Sequence, residues 1–178
     1  MTDSSKSPSL LFSMNFSKGI YCKDEKIMSL TPVDSAKQII QFTDRPVRES
    51  KYITLEQFAS YYTTGSDNFS SSPPNAVFTT KINGKQVNLV IIMEQVRIKD
   101  NNLIVKLKFE ESGISKVDSI KEEELLTKYF DYGSLFIDSF INSSRANTNL
   151  PPDDFADNFN SGNINVQDFN IPSEPPNN

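Results

Sequence analysis

Four polar residues in two short segments have the side-chain types that a small binding site uses. Asp44, Arg45 and Arg48 lie in the segment Asp-Arg-Pro-Val-Arg, and Asn75 follows two consecutive prolines. A carboxylate, two guanidinium groups and an amide can together bind a carboxylate, a phosphate or a peptide. Proline fixes its own φ and favours an extended residue before it, so both segments also suit rigid turns. The sequence leaves two interpretations open: a polar ligand site, or architectural corners tied by an Asp–Arg pair.

Asp138 is the other conspicuous charge, because it lies within the apolar run from Ser134 to Ile141. Strand alternation places it on the face opposite the apolar side chains of that run, which predicts exposure to solvent. A salt bridge to Arg45 or Arg48 is the alternative. A calcium site would have to combine Asp138 with Asp44, and the sequence lacks the Asp-x-Asp-x-Asp spacing of an EF-hand loop. We therefore predict no metal site.

The composition argues against several classes of function. The chain has 178 residues with no histidine, one cysteine and six glycines, and it has neither a glycine-rich phosphate loop nor a Gly-x-Ser-x-Gly motif. We therefore expect no enzymatic activity and no cofactor. Its 18 basic and 23 acidic residues give a net charge of −5. Because a surface that binds nucleic acid is basic, we expect no nucleic-acid partner. Cys22 is expected to be a free, buried thiol.

The pattern of apolar residues predicts a mainly β protein. Leu10 to Phe16 alternates with a period of two, which is typical of a half-buried strand. Asn83-Gly84 separates two apolar runs and favours a two-residue type I′ hairpin. A further turn at 99–102 completes a three-stranded meander. The other predicted strands are 20–22, 26–30, 39–42 and 134–141.

Two short helices are also predicted. Thr54 and Gln57 have the spacing of a capping box, and apolar residues follow on one helical face. A second helix is expected from Ser119 to Tyr129, with its glutamates in solvent. Together these elements predict an antiparallel β-sandwich with one or two short helices. The strand Leu10–Phe16 would be compatible with an exposed edge that pairs between copies, so a homo-oligomer is permitted.

Three segments are predicted: a flexible N-terminus at 1–8, the β-sandwich domain at 9–142 and a tail at 143–178. The tail contains nine asparagines and five of the ten prolines, a composition typical of disorder in isolation. Phe155, Phe159 and Phe169 each adjoin Asp or Asn within it. Spaced aromatic residues in an acidic chain are typical of arms that dock, either on a partner or on the same chain, and a solvated tail is the alternative.

The order of three segments resembles a family of small β-rich proteins, many of them bacterial and secreted, that has no established activity. The segments are Phe42 to Arg48, the Pro-Pro-Asn-Ala stretch that follows Phe69, and Ser134 to Asp138. The resemblance covers about residues 10–140 and implies a fold more than a function. This chain departs from the family in the charged insert at 116–129, in its tail and in the lack of a recognisable signal peptide.

Two functions are compatible with these features. The first is a non-enzymatic structural or interaction protein that binds protein partners and extends its tail as an arm, for example as a minor component of a virus capsid. The second is a module that binds a small ligand or peptide at Asp44, Arg45, Arg48 and Asn75. We expect a soluble protein, intracellular or in a virion, with no membrane span because no apolar run approaches 20 residues.

Overall fold

The computed structural model describes residues 9–43, 48–66, 68–110 and 129–142. The chain divides into two units, residues 1–146 and 147–178, and every described residue belongs to the first. The described ranges contain nine strands and one helix. They are β1 Ser9–Cys22, β2 Ile27–Pro32, β3 Ile39–Thr43, β4 Ser50–Ile53, α1 Leu55–Ser60, β5 Asn75–Ile82, β6 Lys85–Lys99, β7 Asn102–Phe109, β8 Tyr129–Phe130 and β9 Gly133–Asn142.

All the strand pairings are antiparallel, which confirms the predicted fold class. The nine strands form one hydrogen-bonded sheet. Six of them, in the order β1, β2, β7, β6, β5 and β9, close into a ring because β9 pairs back with β1. The two separate sheets of a sandwich therefore find no support in the described residues.

β1 lies at the centre of this arrangement. Its first half pairs with β3 and β9, and its second half pairs with β2 and β8. Pairing between copies through Leu10–Phe16, which the sequence permitted, is not available, because β9 pairs with one edge of that segment and β3 with the other. β3 and β4 extend the sheet from β1, and β4 is the last strand on that side.

A bulge changes which face of β1 is buried. The even-numbered residues of Leu10–Phe16 are buried, as the alternation predicts. The register with β2 then shifts between Phe16 and Lys18, after which Tyr21 is buried and Cys22 is exposed. One extra residue turns all the following side chains to the opposite face. The prediction of a buried thiol was wrong for this reason.

The meander formed by β5, β6 and β7 confirms the two predicted hairpins. Asn83 and Gly84 have φ values of 51° and 77°, as a type I′ turn requires of both central residues. Asp100 and Asn101 form the second turn, with φ values of 50° and 60°. Residues that readily adopt a left-handed backbone conformation therefore occupy both turns, and these turns fix the register of the three strands.

The inner face of the ring holds the largest part of the core. Phe16 stacks on Phe78 with ring centroids 5.4 Å apart, and the edge of Phe130 meets both rings. Phe16 and Phe78 have no exposed surface. Burying such a side chain stabilises a fold by roughly 1.5–3 kcal/mol.

α1 closes one part of the core with a second group of aromatic rings. Its N-terminus has the predicted capping box, because Gln57 N donates to Thr54 Oγ1 at 3.1 Å and Thr54 N donates to Gln57 Oε1 at 2.9 Å. Phe58 then packs against Phe12 of β1, with centroids 5.1 Å apart. The cap fixes where the helix begins, and thereby which residue meets β1.

The second predicted helix and two short strands differ from the other elements in how far the sequence predicted them. The second predicted helix, Ser119–Tyr129, lies outside the described residues except for Tyr129, which belongs to β8. The sequence did not predict β4 or β8, which have four and two residues. Such short strands have too few positions to show alternation, so only their neighbours in the sheet define them.

Candidate functional site

The described residues do not assemble the four-residue polar site. Asp44 and Arg45 lie outside the described ranges. Arg48 is exposed just before β4, and Asn75 is the exposed first residue of β5. Strands β3, β1 and β9 lie between β4 and β5 in the sheet, so Arg48 and Asn75 are not neighbours.

The segment around Arg48 connects β3 to β4. Thr43 N donates to the carbonyl oxygen of Glu49 at 3.0 Å, and Glu49 N donates to Thr43 Oγ1 at 2.9 Å. These two bonds join the last residue of β3 to the residue before β4. At the other segment, the carbonyl oxygen of Pro74 accepts from Met93 N at 3.0 Å. The described contacts of Thr43, Glu49 and Pro74 are those of residues that lie at or next to the ends of strands.

Asp138 lies on the outer face of β9, where alternation predicted it. It is exposed, whereas Leu135 and Ile137 are fully buried. In the sheet, Asp138 has Leu11 of β1 on one side and Asn75 of β5 on the other. Asp138 and Asn75 are thus brought together, a pairing that the sequence analysis did not anticipate.

Of the two expected partners of Asp138, Arg45 lies outside the described residues. Within the described part of the chain, the carboxylate of Asp138 forms no ion pair with Arg48, and Lys108 pairs with Glu94. The described residues also contain no group of three or more His, Cys, Asp or Glu side chains that could hold a metal ion. Asp138 is therefore a solvated carboxylate on this face.

The surroundings of Asp138 are apolar across six strands. Two adjacent rows of cross-strand partners carry these side chains. The first row runs Tyr52, Ile40, Ser13, Phe136, Val77 and Val90 from β4 to β6. The second runs Phe42, Leu11, Asp138, Asn75 and Ile92 from β3 to β6. We call the apolar members of these rows the outer apolar face; they are Leu11, Ile40, Phe42, Tyr52, Val77, Val90, Ile92 and Phe136.

Several members of this face are unusually exposed for their type. Tyr52 has 54% of its surface accessible, Phe136 has 42% and Val77 has 40%. Because an aromatic side chain carries about 150–250 Å², the two aromatic residues alone leave about 200 Å² uncovered. The rings of Phe42 and Phe136 lie 6.0 Å apart across β1. The exposed apolar side chains are thus contiguous across neighbouring strands, and contiguous apolar patches mark interaction sites when they are large.

Charged side chains lie at the two ends of the outer apolar face. The ammonium group of Lys37 lies 5.5 Å from the centre of the Tyr52 ring, at the β4 end. Glu94 and Lys108 form their ion pair beyond Ile92, at the other end. An apolar centre with a polar rim is the usual composition of a protein interface.

The sequence analysis missed this face, although it contained a signal. Leu10-Leu11-Phe12, Ile39-Ile40, Val90-Ile91-Ile92 and Leu135-Phe136-Ile137 are consecutive apolar residues within strands. In a strand with one solvent-exposed face, apolar and polar residues alternate, whereas continuous apolar runs are typical of strands covered on both faces. The alternating members were recognised as core, and the residues between them were not considered.

The phenylalanines of the predicted arm, Phe155, Phe159 and Phe169, lie outside the described residues. No helix in the described ranges is both long and apolar enough to cross a membrane. Comparison of the chain with known protein families, curated proteins and solved structures finds no match. The resemblance to a family of small β-rich proteins therefore stays a prediction.

Proposed function

We propose that this protein is a non-enzymatic interaction protein that binds another protein through its outer apolar face. The observation that carries the proposal is the run of exposed apolar side chains across neighbouring strands, with Tyr52 and Phe136 about half accessible. Exposed apolar side chains scattered singly are ordinary, whereas a contiguous apolar patch is often functional.

The shape of the face favours a macromolecular partner over a small ligand. Small molecules bind in concave pockets that cover most of their surface. The outer apolar face lies on the outside of a sheet that closes into a ring. Such a surface is broad but does not enclose a ligand, as is typical of protein interfaces that bury about 800 Å² per partner.

The C-terminal segment supplies a second contact in this proposal. Phe155, Phe159 and Phe169 and their acidic neighbours form a binding arm that engages the same partner. The support is their spacing in a polar, acidic sequence. Two linked contacts raise affinity because the second one forms at high effective concentration. A place in a large assembly such as a virus capsid stays a prediction.

The test uses the full chain as bait in an extract of its source cells. The wild type is compared with Phe136→Asp, and with Tyr132→Ser as the control. Tyr132 is also exposed, at 58%, but it precedes β9 and belongs to neither row of the face. Proteins retained by the wild type and the control but lost with Phe136→Asp support the proposal. Identical capture by all three would exclude the face as the binding surface.

The arm is tested separately in the same assay. A chain carrying Phe155→Ala and Phe159→Ala is expected to lose partner affinity while the unfolding midpoint of the body stays unchanged. Equal affinity of this variant and the wild type would remove the arm from the proposal and leave the face in place.

A further inference from the structure

One charge lies inside the outer apolar face, and it restricts what can cover that face. Asp138 lies between Leu11 and Asn75 in its row, and Phe136 is the preceding outward residue of the same strand. Outward neighbours along a strand are about 7 Å apart, and neighbouring strands are about 5 Å apart. Any partner that covers Phe136, Leu11 and Val77 therefore also covers the carboxylate of Asp138.

Covering a carboxylate without a partner is costly. Removal of a charged group from water costs several kcal/mol unless an opposite charge and hydrogen-bond donors replace the water. Within the described ranges no side chain supplies such a charge to Asp138, and Lys108 is already paired with Glu94. A partner that brings its own cation to Asp138 removes this cost.

On this basis we propose that the occupant of the outer apolar face is a segment of another polypeptide in which apolar side chains flank one arginine or lysine that pairs with Asp138. This inference rests on the proposed function and names the chemistry of the partner. Arginine suits the position best, because its planar group binds a carboxylate with two parallel hydrogen bonds and is more weakly hydrated than lysine.

The same charge disfavours a second copy of this chain as the occupant. A two-fold dimer uses the same patch on both subunits. Asp138 lies in the middle of the face, so the two copies would bring like charges together where water is excluded. The net charge of −5 adds to this repulsion.

The experiment selects peptides from a displayed random library against the immobilised full-length chain. Phe136→Asp and Tyr52→Ser serve as two independent disruptions of the face, and urea unfolding verifies that each variant is folded. We expect enriched peptides that depend on both residues and that carry one arginine or lysine within four positions of apolar residues. Selection against Asp138→Lys should replace the basic residue by an acidic one.

A double-mutant cycle then tests the pairing directly with one selected peptide. Asp138→Asn in the protein, or replacement of the basic residue by glutamine in the peptide, should each weaken binding about tenfold or more. The two changes combined should weaken it little further, because each removes the same interaction. Asp131→Asn is the matched control, since Asp131 is exposed and lies outside the face.

The possible failures are distinct. Peptides that require Phe136 but lack a basic residue, or show no coupling to Asp138, overturn this inference and leave the proposed function standing. Absence of any peptide that depends on Phe136 counts against both. A dimer in sedimentation experiments that Phe136→Asp dissociates would replace the foreign segment by a second copy.

Discussion

Phe12 and Phe136 provide a matched test of the two faces of the sheet. The two residues lie on paired strands, β1 and β9, and they face opposite sides. Phe12 has no exposed surface and its ring contacts Phe58, with ring centroids 5.1 Å apart, and Tyr61, with centroids 5.4 Å apart. Phe136 is 42% exposed. Replacing each by alanine removes the same atoms from two different environments.

The expected magnitudes differ severalfold. Phe12→Ala creates a cavity among packed rings, and such changes cost about 3–5 kcal/mol of unfolding free energy. Phe136→Ala leaves no enclosed cavity and loses only part of a burial term of about 1.5–3 kcal/mol, so we expect about 1 kcal/mol. With a urea m-value of about 2 kcal/mol/M, the unfolding midpoint falls by about 2 M for Phe12→Ala and about 0.5 M for Phe136→Ala.

Urea unfolding followed by circular dichroism measures both midpoints. Phe12→Leu, which keeps most of the volume, provides a second variant if Phe12→Ala is too unstable to study. Its loss should be about 1–2 kcal/mol. Equal losses for the two alanine variants, or a larger loss for Phe136→Ala, would refute the assignment of inner and outer faces on which the proposed function depends.

Three further predictions concern single residues. Burial raises the pKa of Tyr62 well above its ordinary value. Above about pH 10 the unfolded state therefore loses this proton before the folded state does, and the free energy of unfolding falls by up to about 1.4 kcal/mol per pH unit. Tyr62→Phe should flatten that decline in urea unfolding between about pH 9 and about pH 11, and an unchanged slope would contradict the assignment. Gly133→Ala should cost about 1–3 kcal/mol, because its Cβ would overlap the carbonyl oxygen of Thr79 and the ring of Phe16; a thermal midpoint equal to that of the wild type would show that β9 begins differently. The exposed thiol of Cys22 should react with a disulfide reagent in the native protein nearly as fast as in denaturant, whereas protection would show that the bulge in β1 is absent.

Local features of the structure were predictable because their causes are local. The left-handed preference of Asn83-Gly84 fixes its hairpin, and the reciprocal bonds of Thr54 and Gln57 fix the start of α1. Each of these signals is contained within four residues, so no knowledge of the rest of the chain was needed.

The candidate site depended on pairings that no local signal reports. Leu11 and Asp138 are 127 residues apart in the chain and neighbours in the sheet. Alternation showed correctly that Asp138 faces away from the core, but it could not show that Leu11 and Phe136 surround it. The bulge after Phe16 was equally hidden, because a shift of one residue leaves the composition of the segment unchanged.

Closure of the ring by β1 and β9 also has a consequence for the order in which the protein folds. The first and last strands are partners from Ser9↔Asn142 to Phe16↔Gly133, and Ser139 Oγ donates to the carbonyl oxygen of Leu10 at 2.6 Å. The hairpins between β1 and β9 form from residues close in sequence. The pairing of β1 with β9 instead joins segments separated by most of the chain, which is slower. During synthesis β1 emerges before β9, so the edge of β1 that pairs with β9 stays unpaired until β9 has been made. An open edge next to apolar side chains is a template for aggregation, so the nascent chain is exposed to this hazard until β9 pairs with β1.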